Sequence, residues 1–326
     1  MAADTTRESD SWVGSFAVPD KPDAWAQLAR IGGVLRQTIH RILRMGSGSK
    51  VRKHQFTMFR VYWPRMCSPK DLEASLGEVG LDDYYGQAQD AMERSTEFRL
   101  FLRIIGTGMD LNSLREGDPC WAGSWMPALR WIRQCLDPID ITESADIKDE
   151  AIVNTTLLVL LDCIESLARP LRVRWTIQQI LFTPVFENAQ FTTITDGALM
   201  ARLSRRVLGL VEVRRKARYP EPDAIKVQET AEMVGLIKGG DGREAIFNGK
   251  RLLVAQDGGE AWVIFAEAGP GYERYLNERD VRRDPFLVLQ EFGPYHLGNV
   301  ATVERFCRVI LCILLAADSA TNYQQL

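Results

Sequence analysis

The sequence predicts an α/β fold: a central mixed β-sheet flanked by helices, behind a mainly helical N-terminal extension. Three observations lead there. From residue 151 onward, helical and strand-like periodicities follow one another as helix, three strands, helix, two strands, helix. Two stretches carry hairpin signals, Ser204-Arg205-Arg206 and Asp257-Gly258-Gly259, the second close to an ideal turn sequence. The composition, 46% hydrophobic and 25% charged, is that of a globular chain able to bury a sizeable core.

Residues 1–22 hold few large apolar side chains and read as a disordered tail. In 23–45, Trp25, Leu28, Ile31, Leu35, Ile39 and Ile42 recur at helical spacing, which predicts an amphipathic helix weakened by Gly32-Gly33. GSGSK then reads as a flexible joint. The basic KVRKH after it is a solvated face, or else a nuclear address or nucleic-acid contact. FTMFRVYW reads as a strand, 87–105 and 124–136 as helices, and the acidic 137–150 as a surface connection. AIVNTTLLVLLDCIESLAR is apolar on most sides and predicts a buried helix ended by Pro170. VRWTIQQILF, FTTITDGALMARL and VLGLVEVR predict three strands. In IKVQETAEMVGLIK, Val227, Ala231, Val234 and Ile237 form one helical stripe, stopped by Gly239-Gly240. RLLVAQ and EAWVIFAEA predict a hairpin, FLVLQEFGPYHL follows a loop, and a final helix spans about 300 to 317. The expected organisation is therefore a tail over 1–22, an extension over 23–150 and a core over 151–326.

Composition narrows the chemistry. The net charge of −3 gives no global attraction to polyanions, so any anion-binding surface has to be local. No apolar run is long enough for a transmembrane helix, and the polar, acidic start lacks a signal-peptide layout. The six cysteines form no CxxC pair, and Cys163 and Cys307 sit in apolar helical patterns. Buried thiols in a reducing compartment are expected, placing the protein inside the cell, in nucleus or cytoplasm, with no membrane partner. His40, His54 and His296 lie far apart and offer neither a zinc cluster nor a Ser-His-Asp triad. GxSxG, GxGxxG after a strand and GxxxxGK[ST] are absent. Carboxylates and cations are left to carry any catalysis.

They converge on the first hairpin. With a three-residue turn at 204–206, Leu203 faces Val207, Asp196 faces Arg214 and Ala198 faces Glu212. Asp196, Glu212 and Arg214 then share one face of one sheet end. Two carboxylates at a strand end suit Mg²⁺ or Mn²⁺, which can polarise a phosphodiester and acidify an attacking water. A nearby cation can steady the charge developing on phosphorus. Arg202, Arg205, Arg206, Arg214, Arg215, Lys216 and Arg218 crowd the same stretch and read as a local phosphate-attracting patch.

This order of elements resembles the PD-(D/E)XK nuclease superfamily. The wording is similar to that of fungal PD-(D/E)XK nuclease-like proteins: an ITDG-L strand at Ile194–Leu199, a VEV-basic strand at Val211–Arg218, a QE-A-M helix at Gln228–Met233 and an FL…EFGP segment at Phe286–Pro294. The resemblance covers about 150 to 317. It implies a restriction-endonuclease-like core with Asp196 and Glu212 as metal-binding acids. Arg214 stands where the family has lysine, and Gln228 stands where it has the helix glutamine that positions metal water or nucleic acid. Glu165 or Asp162 would be the acid of the first helix. The implied activity is metal-dependent phosphodiester hydrolysis of nucleic acid. The alternative is a catalytically inactive nuclease-fold protein that binds nucleic acid or a protein partner, favoured by arginine at 214, which cannot act as a base.

Each residue also has a plainer reading. Asp196-Gly197 is a common β-turn pair, Glu212 can simply pair with a neighbouring arginine, and the arginines can be a solvated hairpin end. Gln228 can be a helix-surface residue, and Tyr295-His296 part of a packed turn. Geometry separates the two sets: a metal site needs both carboxylates within about 5 Å and open to solvent. A core salt bridge on either acid speaks against one.

Overall fold

Period-two alternation sets up two cores, one on each face of a single sheet. Along β7 (Lys250–Asp257), Leu252 and Val254 enter one core and Leu253 and Ala255 the other. In β8 (Glu260–Ala268), Val263 and Phe265 lie on the first face, Trp262 and Ile264 on the second. A sheet apolar on both faces needs helices on both, and this computed structural model supplies them. It describes residues 16–108, 123–136, 150–219, 222–278 and 285–322. Residues 1–15 of the expected tail over 1–22, and 137–149 of the acidic connection, fall outside these residues; the rest of that tail is packed, with Phe16 against Phe56 and Val18 N–H donating to Asp223 Oδ1 at 3.1 Å.

The protein is α/β, with a seven-stranded mixed sheet in the order β1-β9-β8-β7-β6-β5-β2. Here β1 is Val61–Tyr62, β2 Val173–Thr176, β5 Gly197–Ala201, β6 Val207–Arg214 and β9 Leu287–His296. β2, β5 and β6 form an antiparallel meander, β6 and β7 run parallel, and β7, β8 and β9 are antiparallel again. β1 closes the far edge by running parallel to β9. A separate two-stranded ribbon pairs β3 (Ile180–Phe182) with β4 (Thr193–Thr195). The first core gathers α4 (Asp82–Arg94), α5 (Thr96–Gly106), α6 (Met126–Leu136), α7 (Glu150–Ser166) and α10 (Val300–Asn322), with short α3 (Pro69–Ala74). The second gathers α1 (Pro22–Ile31), α2 (Lys53–Phe59), α8 (Pro222–Gly239) and α9 (Tyr272–Asn277).

The hairpin of β7 and β8 forms as its sequence predicts: Asp257 pairs with Glu260, and Gly258 takes φ +59°, a conformation glycine adopts without penalty. The helices at 126–136, 150–166, 222–239 and 300–322 also follow their periodicities. Other expectations are corrected. The helix over 23–45 stops at Ile31, because Gly32-Gly33 breaks it and Gly33 sits at φ +66°. FTMFRVYW is not one strand. Its first part belongs to α2, which Arg60 ends in the left-handed region at φ 53°, and only Val61–Tyr62 is extended. VRWTIQQILF and FTTITDGALMARL each break in two, giving β2 and β3, then β4 and β5, so the chain leaves the main sheet for the ribbon and returns at Asp196.

Segments before 150 contribute to the same two cores. Trp25 meets the Phe286 ring, Trp63 donates to Thr230 Oγ1 on α8 at 3.0 Å, and Tyr272 donates to the Phe59 carbonyl at 2.7 Å. None of the described cysteines is in a disulfide, and four of them, Cys135, Cys163, Cys307 and Cys312, are buried. Among the described residues, no helix is long and apolar enough to cross a membrane.

Candidate functional site

The site lies where β5 begins, β6 ends and α8 crosses over them. β6 positions Glu212 and Arg214 on the α8 side of the sheet, because Val211 and Val213 point into the opposite core. Gly197 is required at the start of β5: a Cβ there would lie 2.5 Å from the Thr176 carbonyl oxygen of β2. The Asp-Gly pair is thus a strand entrance rather than a turn.

The register differs from the expected one. Gly197 pairs with Val211, Ala198 with Leu210 and Leu199 with Gly209, then a bulge shifts Met200 to Val207. The turn is longer than three residues. Ala201 N–H donates to the Arg206 carbonyl and Arg205 N–H to the Ala201 carbonyl, with Arg205 left-handed at φ 58°. The position opposite Asp196 therefore falls to Glu212, not Arg214. Since the slip is an even number of residues, all three stay on one face. Asp196 is bound onto the backbone flanking Glu212: its N–H donates to the Val211 carbonyl at 3.0 Å, and its Oδ2 accepts the Val213 N–H at 2.9 Å.

Glu212 is the centre of the arrangement and is only 3% exposed. Its Oε1 accepts Gln228 Nε2 at 2.6 Å and lies 3.2 Å from Arg214 Nη2. The same Gln228 amide donates to Glu232 Oε1, one turn further along α8, at 2.9 Å. The Glu212 and Glu232 carboxyls are neighbours, and the charge of Glu232 acts on Glu212. Glu212 Oε2 and Glu232 Oε2 are buried with no N–H or hydroxyl donor directed at them. A proton held between the two would supply the missing bond. Electrostatics favour that proton. Burial, then the charges of Glu232 and Asp196, push Glu212 well above the ordinary carboxyl range, against Arg214. Burial pushes Glu232 up to about 8, against the Gln228 hydrogen bond and Arg214. Asp196 is also raised, by burial first, with the Val213 N–H opposing.

A second buried cluster adjoins the first. Arg218, wholly enclosed, donates to Glu229 at 2.5 and 3.1 Å, to Asp257 at 2.7 Å and to Glu291 at 3.0 Å, and lies over the Trp262 ring. Lys226 Nζ stands 2.5 Å from Glu291 Oε1. Burial lifts Glu229 to about 7 even with Arg218 beside it.

The structure thus brings Asp196, Glu212, Arg214 and Gln228 together, and adds Glu232, which sequence reasoning missed. It also corrects two expectations. Glu165 and Asp162 are not the acids supplied by α7. That helix is about 25 Å long, and both lie at its far end. There buried Glu165 accepts Trp175 N–H at 3.1 Å and Arg202 Nη2 at 2.7 Å. Glu150, at the start of α7, is the one whose charge reaches Asp196 and Arg214. Nor is Arg202–Arg218 one basic surface. Residues 202–206 and 214–218 lie at opposite ends of the eight-residue β6, about 25 Å apart. Arg202, Arg214 and Arg218 are already paired with carboxylates. Lys216 lies past the end of β6 and is exposed. Tyr295 is buried in β9, and His296, exposed, has Nδ1 3.4 Å from Glu260.

As arranged, the donor set does not fit Mg²⁺ or Mn²⁺. Such an ion needs hard, ionised oxygens with room for its waters. Here one Glu212 oxygen already accepts an amide and faces a guanidinium, and Asp196 Oδ2 is engaged by the backbone. Among the described residues, no three His, Cys, Asp or Glu side chains group as a metal cage. Compared with known proteins, the chain is matched by no family model and by no curated relative.

Proposed function

We propose that this chain is a PD-(D/E)XK nuclease-like protein with a restriction-endonuclease-like core that binds without cutting. The order α7, β2, β5, β6, α8, β7, with Asp196 entering one strand, Glu212 in the next and Gln228 on the helix, supports the kinship. One observation carries the silence: Arg214 Nη2 lies 3.2 Å from Glu212 Oε1, with Gln228 on the same oxygen. A permanently charged guanidinium in that position does the neutralising that a metal ion would do, and it cannot serve as a base. The partner is a protein rather than a nucleic acid. The basic stretch is divided between two ends of β6 and partly consumed in ion pairs, while Leu181 and Ile194, paired across the ribbon, are both exposed apolar side chains.

A titration with Mg²⁺ and Mn²⁺ over mixed DNA and RNA substrates tests this. Wild type, Asp196→Ala and Glu212→Ala are expected to leave the same background of intact substrate. Fluorescence anisotropy is expected to show no salt-dependent binding of either nucleic acid. Metal-dependent cleavage by wild type that both variants abolish would overturn the proposal and restore a hydrolytic nuclease, with Arg214 swinging aside to admit the ion.

A further inference from the structure

We propose that the turn end of the β5–β6 hairpin is a binding site for a phosphate dianion, either inorganic phosphate or the phosphomonoester group of a small molecule. This site stands apart from the acid cluster, by the length of β6, and does not depend on what that cluster does. Three arginines from three separate segments line one cavity there of about 120 Å³: Arg172 ahead of β2, Arg206 ahead of β6, and Arg243 between α8 and β7. Ser204 and Thr321 complete the polar lining.

The backbone holds these segments in place. Arg172 N–H donates to Asp318 on α10 at 2.5 Å, and its carbonyl accepts the Arg202 N–H at 2.7 Å. The left-handed Arg205 reverses the chain, so that Arg206 returns beside Ala201. Arg243 N–H donates to Asp241 Oδ1 at 3.1 Å, which fixes the loop after α8. Size selects the ligand. Pockets for drug-sized molecules run from roughly 300 Å³ upward, so a cavity of about 120 Å³ suits a group the size of phosphate. Asp318 stands 3.3 Å from Arg172 and Asp241 stands 3.4 Å from Arg243, and the charges of Asp241 and Glu244 also act on Arg206. The second pair is between largely exposed side chains and is weak. Nearby Glu244 is engaged by Arg251 at 2.8 Å. Each guanidinium presents five N–H donors in a planar fork, so one carboxylate partner leaves donors over for a tetrahedral anion.

Isothermal titration of the full chain with inorganic phosphate, at constant ionic strength in chloride, tests the site, with ribose 5-phosphate as a second arm. Saturable phosphate binding is expected, weakened at least about tenfold in Arg206→Gln and in Arg243→Gln. Arg215→Gln, which removes an equal charge from the other end of β6, should bind as wild type does. Arg243 is exposed, so its variant folds even where Arg206→Gln loses stability. Binding of ribose 5-phosphate at the same residues identifies the ligand as a terminal phosphomonoester, and its exclusion identifies the free ion. No saturable phosphate binding, or binding indifferent to both Arg206→Gln and Arg243→Gln, overturns the proposal.

Discussion

Arg218→Met replaces the cation that Glu229, Asp257 and Glu291 share with an apolar side chain of similar reach. Glu291 keeps Lys226 at 2.5 Å, while Glu229 and Asp257 lose their hydrogen-bonded cation and keep only the influence of Arg214. Each must remain charged in the core or take up a proton. For a carboxyl of ordinary pKa 4.5, taking a proton costs about 5 kcal/mol at pH 8 and about 1 kcal/mol at pH 5.5. Breaking a buried pair by removing one partner typically costs about 3–5 kcal/mol, so that is the expected loss at pH 8. At pH 5.5 the loss should shrink to about 1–2 kcal/mol, mostly packing against Trp262. The direction follows from Glu229. Its folded pKa of about 7 exceeds 4.5, so its contribution favours the fold at low pH and is lost as pH rises from 4.5 through 7. Removing Arg218 raises that folded pKa further and carries the loss to higher pH. Urea unfolding followed by tryptophan fluorescence at both pH values measures it. A deficit below about 1 kcal/mol at pH 8, or an equal deficit at the two pH values, would refute the reasoning.

Two further changes report on the candidate site and its scaffold. Glu232, with a folded pKa of about 8 against 4.5 unfolded, makes wild-type stability fall as pH climbs through that interval. Glu232→Gln should flatten the fall and exceed wild type by about 1–3 kcal/mol at pH 8.5, read from urea midpoints across pH 5 to 9. A variant less stable than wild type at pH 8.5 would contradict the shared proton. Gly197→Ala drives a methyl to 2.5 Å from the Thr176 carbonyl and should cost about 2 kcal/mol or more, with an altered near-ultraviolet signal from Trp175 on β2. An unchanged melting temperature would show that β2 can yield.

What could be read in advance depended on how far each signal was local. Strands β6 to β9, and α7, α8 and α10, declare themselves through periodicity, and Asp257-Gly258-Gly259 declares its turn. The convergence of Asp196, Glu212 and Arg214 was legible because strand parity survives an even slip in register, whereas Gln228 came in only through the family resemblance. The register itself was not, since it turned on the left-handed Arg205 and a bulge after Leu199 that no residue type marks. Glu232 and Glu229 were missed for a different reason. They lie off the apolar stripe of α8, where charged residues ordinarily face water. Here the ribbon, α2 and α9 cover that helix, and Glu229 through Ile237 are buried without a break. The only sequence signal was two acids at i and i+3 just ahead of the apolar run Met233–Ile237.

The parallel pairing of Val61 with Leu287 has a consequence for how the chain is made. β9 is the last strand of the sheet to emerge during synthesis, yet it supplies the seat for the first. Until it is complete, α1 and α2 lack the Phe286, Tyr272 and Tyr275 rings that cover them, and must wait beside a growing chain with apolar surface in water. The closing edge is also what keeps the sheet from recruiting strangers. A piece cut at residue 150 would present the Leu287–Val288 side of β9 as a bare strand edge, the kind of template on which copies stack. β1 acts as the cap on β9.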